Sequence, residues 1–203
     1  MRVYFASTNF GKLREMEAIF AGSGFQLVTY GDYDDPLEGD TSYADNAALK
    51  ARALHAQLQR VGDKSCVISD DSGLEVYALD RRPGVLTAYY GGTNATWPER
   101  RKKLLAELAE AGSTDRRARF VCAMHFIDAE GREFASMGTV DGLVAAGDRG
   151  SDGFSFDPIF VYPPADKTFA ELSDAEKNRV SHRAIAAAAL MAAVKASGVG
   201  FAS

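Results

Sequence analysis

The run Val3-Tyr4-Phe5-Ala6-Ser7-Thr8-Asn9-Phe10-Gly11-Lys12 joins an apolar segment to a helical pattern through small polar side chains. Residues 2–7 have the composition and length of a buried strand. From Gly11, the positions Leu13, Met16, Ile19 and Phe20 recur at helical spacing, and Gly22 and Gly24 stop the helix. In an α/β chain this is where a phosphate cradle sits. The Walker A template is not met, because it needs a leading Gly and a Ser or Thr after the Lys, where Ala6 and Leu13 stand. Ser7, Thr8 and Asn9 offer side-chain hydrogen bonds, and Gly11 permits a close backbone approach. Lys12 sits in the first helical turn, where a cation is unfavourable unless an anion is near. The loop therefore reads either as a phosphate site of another geometry or as a plain strand-to-helix turn.

Beyond it the periodicities alternate, with no internal repeat and no low-complexity linker. A short strand is expected at Phe25–Tyr30, then an acidic loop with Pro36, Glu38 and Gly39. Ser42-Tyr43-Ala44-Asp45 opens a helix through about Gln59, in the manner of a capping box with Asp in place of Glu. An apolar strand ends at Asp70-Asp71-Ser72-Gly73, and Leu74–Leu79 forms a further extended run. Thr96-Trp97-Pro98-Glu99 is a second capping box. Residues 118–128 and 132–140 make a hairpin across Asp128-Ala129-Glu130-Gly131. A strand is expected at Pro158–Tyr162, and the last helix contains the Ala-rich stretch Ala184–Ala196. The sum is a mixed sheet flanked by helices.

The chain has 203 residues, 46% hydrophobic and 25% charged, enough for one domain with a sizeable core. Its net charge of −5 excludes a chain-wide basic field for polymeric nucleic acid. Cys66 and Cys122 lie in apolar runs and read as buried thiols of a reducing compartment. The N-terminus turns polar too early for a signal peptide, and the Ala184–Val194 run is too short to span a bilayer. A cytoplasmic protein without a membrane segment is expected.

Three further stretches carry chemistry. Asp70 and Asp71 are adjacent on an extended chain and point to opposite faces, so one of them serves a given site, holding Mg²⁺ or orienting water. A second carboxylate would come from Glu38 or Asp40; otherwise the run is a turn capping its own backbone. In Gly153-Phe154-Ser155-Phe156-Asp157-Pro158, two aromatics flank a small residue and could wall a flat base, or they are core side chains entering a strand. Lys177 and His182 would lie about 140° apart on one unbroken helix. Alternatively a long helix begins at Ser181, which places His182 and Arg183 in its first turn and calls for an anionic or carbonyl-bearing ligand; otherwise these residues are a polar surface.

Taken together, Ser7-x-Asn9-x-x-Lys12, Ser42-Tyr43-Ala44-Asp45-Asn46-Ala47 with Lys50-Ala51, Asp70-Asp71-Ser72-Gly73-Leu74, Pro83-Gly84, Phe154–Phe160, Glu176-Lys177 and Ser181-His182-Arg183 occur in this order. The chain resembles the inosine/xanthosine triphosphate pyrophosphatases that clear non-canonical purine nucleotides, over nearly its whole length. The resemblance implies an elongated α/β fold of one domain, residues 1–203, in two lobes around a mixed sheet, with the active-site cleft between the lobes. It implies Mg²⁺-dependent hydrolysis of ITP, dITP and XTP to monophosphate and pyrophosphate by a homodimer.

Carried over by motif, Ser7, Thr8, Asn9, Phe10, Gly11 and Lys12 hold the triphosphate. Asp71 is the catalytic residue or metal ligand, with Glu38 as a second ligand and Ser72 as a substrate contact. Phe154, Ser155, Phe156 and Asp157 enclose the base, Lys177 contacts phosphate or base, and His182 and Arg183 read the purine. Three departures stand out: Ser155-Phe156 where the family tends to Gly-Tyr, Tyr89 where an Arg is typical, and Asp152 before Gly153. Maf-type nucleotide pyrophosphatases and a non-catalytic nucleotide sensor are the rival readings, the first opposed by Ser181-His182-Arg183.

Overall fold

The computed structural model describes residues 1–199. The strands are β1 (Arg2–Phe5), β2 (Gln26–Val28), β3 (Cys66–Val76), β4 (Arg117–Ile127), β5 (Glu133–Val144), β6 (Phe160–Tyr162) and β7 (Lys167–Thr168). The α-helices are α1 (Phe10–Phe20), α2 (Tyr43–Arg60), α3 (Trp97–Glu110), α4 (Asp174–Val180) and α5 (His182–Ala196). All seven strands join one mixed sheet in the order β2-β1-β3-β4-β5-β6-β7. β1 runs parallel to β2 and β3, and β6 runs antiparallel to β5 and β7.

The chain divides into two compact units. The first comprises residues 1–71, 122–138 and the segment from His182 onward; the second comprises 72–121 and 139–181. In the first unit Val3, Phe5, Met16, Ile68, Met124 and Leu190 form the main core. Phe25 stacks between Phe20 and Phe126, with ring centroids 5.5 Å apart on each side. A second core joins Tyr4, Leu54, Leu58 and Val67 under α2. The core of the second unit centres on Phe120, Phe160 and Phe169, whose rings pack at 4.5 to 5.8 Å. Each fully buried aromatic of this kind is worth roughly 2 kcal/mol of transfer free energy.

The local signals act as their chemistry requires. Asn9 caps α1, Ser42 Oγ accepts from Asp45 N–H at the start of α2, and Thr96 with Glu99 forms a complete capping box on α3. The Asp128 carboxylate accepts from Glu130 and Arg132 N–H in the β4–β5 turn. Two strand boundaries differ from expectation. β3 does not stop at Asp70 but runs unbroken through Asp70-Asp71-Ser72-Gly73 to Val76. Lys12, Lys50 and Arg183 neutralise these carboxylates and the Asn46 amide donates to Asp71, so they need no turn. Pro158 lies in a 3₁₀ turn, Asp157–Ile159, and β6 begins only at Phe160. Of the two readings for Lys177 and His182, the long helix beginning at Ser181 holds: α5 starts at His182, and Lys177 lies in the preceding short helix α4, Asp174–Val180, capped by Ser173 and Glu176. β7 gave no apolar signal in the sequence. Cys66 and Cys122 are buried thiols, as expected. Among the described residues, no helix is long and apolar enough to cross a membrane.

Candidate active site

The loop 7–12 is organised by its own side chains. Asn9 Oδ1 accepts from the N–H groups of Gly11 and Lys12, at 2.9 and 3.1 Å, and Ser7 Oγ accepts from Asn9 N–H at 3.2 Å. Two N–H groups of the helix start are therefore held within the protein. Ser7, Thr8, Asn9 and Phe10 line a cavity of about 270 Å³ together with Leu13, Tyr30 and Tyr33. Phe10 is 83% exposed, so that ring is displayed rather than packed. Lys12 bends back to Asp70, with Nζ 3.1 Å from Oδ2.

Asp70 and Asp71 lie side by side on β3 and face different partners, as strand alternation requires. Asp70 is wholly buried and receives Lys12 and Arg183, whose Nε lies 3.3 Å from Oδ2. Arg183 in turn places Nη1 2.6 Å from Glu15 Oε2 on α1. Burial opposes the arginine's charge, but the Glu15 and Asp70 carboxylates outweigh it and hold the guanidinium above its ordinary range. Asp71 meets α2 instead: Asn46 Nδ2 donates to Oδ2 at 3.1 Å and Lys50 Nζ lies 3.5 Å from Oδ1. The same ammonium lies 2.6 Å from Glu38 Oε1. Burial pushes the Asp71 carboxyl above the usual carboxylate range, against the pull of Lys50 and Lys12. Burial also works against the charge on Lys50, yet Asp71, Asp70 and Glu38 together raise its pKa.

Glu38 and Asp71 thus converge on one ammonium. Among the described residues, no group of three or more His, Cys, Asp or Glu side chains is gathered for a metal. Two hard carboxylates, with further oxygens supplied by substrate phosphate, are the donor set Mg²⁺ prefers over an all-protein cage. The residues present fit that ion.

Ser72, Phe154, Ser155, Phe156, Asp157 and Lys177 belong to the second unit. Phe156 is fully buried, with Trp97 edge-on at 5.6 Å and Tyr90 at 6.3 Å; it is a core side chain there. Phe154 is half-buried, and Lys177 Nζ stands 5.0 Å from its ring centroid. Lys177 and Asp157 form a buried ion pair, Nζ to Oδ2 2.6 Å, and Asp157 Oδ2 also accepts from Phe154 N–H at 2.7 Å. His182 and Arg183 open α5 in the first unit, both almost fully buried.

The residues the motifs did not assign are Glu15, Asn46, Lys50 and Asp70. Asn46 and Lys50 are four apart on α2 and so share a face. A polar amide and a lysine on the inward face of an amphipathic helix were the available signal. Glu15 carried the same signal, a carboxylate beside Met16 on the buried stripe of α1.

The chain matches the Ham1 family model over residues 3–193. It is 42% identical over 186 residues to a dITP/XTP pyrophosphatase of Geobacillus kaustophilus, covering 90% of this chain and 88% of the other. It is 41% identical over 197 residues to a dITP/XTP pyrophosphatase of Thermus thermophilus, covering 96% and 92%. The solved structure of the Staphylococcus aureus Ham1 protein superposes with a TM-score of 0.82 at 36% identity, covering 97% of this chain and all of that one. With the family model spanning nearly every element from β1 to α5, and the two β3 carboxylates each held by cations, this chain belongs to the Ham1 family.

Proposed function

We infer that the chain is a nucleoside triphosphate pyrophosphatase that hydrolyses ITP, dITP and XTP to the monophosphate and pyrophosphate. The observation that carries this is the similarity to dITP/XTP pyrophosphatases over nearly the full length, in a chain where Lys12, Asn46, Lys50 and Arg183 engage Asp70 and Asp71.

Hydrolysis at a phosphoryl group needs charge neutralisation and positioning more than covalent chemistry. Lys12 and the loop Ser7–Gly11 bind the polyphosphate chain. A phosphate entering there competes with Asp70 for the Lys12 ammonium. Asp71, oriented by Asn46 and with its proton affinity raised by burial, accepts a proton from the attacking water. Lys50 holds Asp71 and Glu38 in register. Asp71 and Glu38 would hold Mg²⁺, which would supply positive charge to the phosphate oxygens.

Phe154 is assigned to the base, Lys177 to phosphate or base, and Ser72 as a substrate contact. His182 and Arg183 are assigned as donors to the 6-carbonyl of hypoxanthine or xanthine, with Glu15 and Asp70 fixing the guanidinium. Adenine presents an amino group at that position, and donor facing donor is penalised. The homodimer and a cytoplasmic location belong to the same reading.

A pyrophosphate-release screen across ITP, dITP, XTP, ATP and GTP, with and without Mg²⁺, tests this. Turnover of the first three, with efficiency on ATP lower by about a hundredfold or more, is expected. Comparable efficiency on ATP and ITP would end the base assignment, and ITP binding without turnover would make the protein a sensor.

A further inference from the structure

Ser155 has φ of 61°, in the left-handed region that a residue with a Cβ rarely adopts. Gly153, two positions earlier, has φ of 71°, and a Cβ there would run into the Asp157 carboxylate. The loop that carries Phe154 therefore doubles back through two left-handed residues, and only one of them is glycine.

The Ser155 backbone is gripped from α3. Arg101 Nη1 donates to Ser155 O at 2.8 Å. Its Nε and Nη2 fork onto the Asp148 carboxylate, at 2.9 and 2.7 Å to Oδ2. Arg101 is 9% exposed, while the Asp148 side chain is about half exposed. One planar guanidinium thus ties a helix, an acidic residue before the loop and the carbonyl of the strained residue together. A lysine ammonium, a point donor on a flexible stem, lacks that planar fork.

We propose that Arg101 is a positioning residue for nucleotide base binding: by holding the Ser155 carbonyl it keeps this backbone left-handed. Phe154 is then presented on one side of Ser155, and Asp157 is set against Lys177 on the other. Were Ser155 to relax to negative φ, its carbonyl would swing off Arg101 and the Phe154 ring would move with the preceding peptide. This rests on the reading that Phe154 contacts the base. Arg101 itself touches no substrate. Its effect falls on the base and not on the polyphosphate, which the loop Ser7–Lys12 binds.

The test uses the full chain as wild type, Arg101→Met, Ser155→Gly and the double variant, with ITP and Mg²⁺. Arg101→Met is expected to raise KM for ITP about tenfold while kcat stays within about threefold. Inhibition by inorganic pyrophosphate should stay within about twofold of wild type, which a general loss of structure would not spare. In the Ser155→Gly background the KM penalty should shrink to about threefold, because glycine adopts positive φ without a holder. Arg101→Lys takes the place of Arg101→Met if the latter does not fold, with the same pattern expected. Equal penalties in the two backgrounds, or a parallel rise in KM and in the pyrophosphate inhibition constant, overturn the proposal. A wild type that turns over no ITP overturns the functional reading instead. The positioning role is then decided by whether Arg101→Met and Ser155→Gly are non-additive in Tm.

Discussion

Lys177 Nζ lies 2.6 Å from Asp157 Oδ2, and both side chains are at least 96% removed from solvent. The sequence motif assigned Asp157 to the base and Lys177 to phosphate or base. In the structure each is first of all the other's counter-ion, and the pair links α4 to the loop of Phe154. Removing one partner from such a pair strands a buried charge, while replacing both costs less.

Lys177→Met is therefore expected to destabilise the protein by about 3 kcal/mol, and Lys177→Met with Asp157→Leu by less than the sum of the two single changes. Urea unfolding of the four proteins measures this. Additive single effects would mean the pair is not coupled.

Asp71→Asn retains shape but lacks the basic carboxylate. Turnover of ITP should fall by about a thousandfold, with ITP affinity changed only a few-fold. Glu38→Gln should raise the Mg²⁺ concentration for half-maximal activity about tenfold and leave the metal-saturated rate closer to wild type. Steady-state kinetics with a Mg²⁺ titration, beside calorimetric ITP binding, separate the two roles. An active Asp71→Asn protein would move the proton-accepting role to another residue.

In the first unit, a Cβ added at Gly138 would collide with the backbone carbonyl of His182 and the backbone N–H of Ala186. The start of α5, with His182 and Arg183, therefore sits directly on β5. Gly138→Ala is expected to cost about 2 kcal/mol or more, because backbone atoms cannot yield as a side-chain tip can. Gly147→Ala, with open space around it, is the control and should be near neutral. Thermal denaturation of both variants gives the comparison.

Glu133 is pulled down from 4.5 to about 2, first by its hydrogen bonds from Arg52, against the cost of burial and with further help from His125. A folded-state pKa below the unfolded one contributes stability that is complete above pH 4.5 and disappears as pH falls toward 2. The Tm of wild type minus that of Glu133→Gln should therefore be positive and flat above that window and shrink through it. A difference independent of pH would show that Glu133 is not held ionised by Arg52.

Much of this molecule was legible without coordinates, because its signals are local. Apolar period, capping residues and turn chemistry act over a few residues; Asn9, Ser42 and Thr96 begin helices, and Asp128 turns the hairpin, as their side chains dictate. Motif order alone placed the chain among purine triphosphate pyrophosphatases. Tertiary structure decided how the charges are spent. Whether Asp70-Asp71 ends a strand or runs through one depends on Lys12, Lys50 and Arg183 arriving from α1, α2 and α5 to neutralise it. Whether Ser155 can stand in for glycine depends on Arg101, 54 residues away. Such pairings join residues far apart along the chain. The cost of burying each charge is met only when its partner is also in place, so no window of sequence contains the answer.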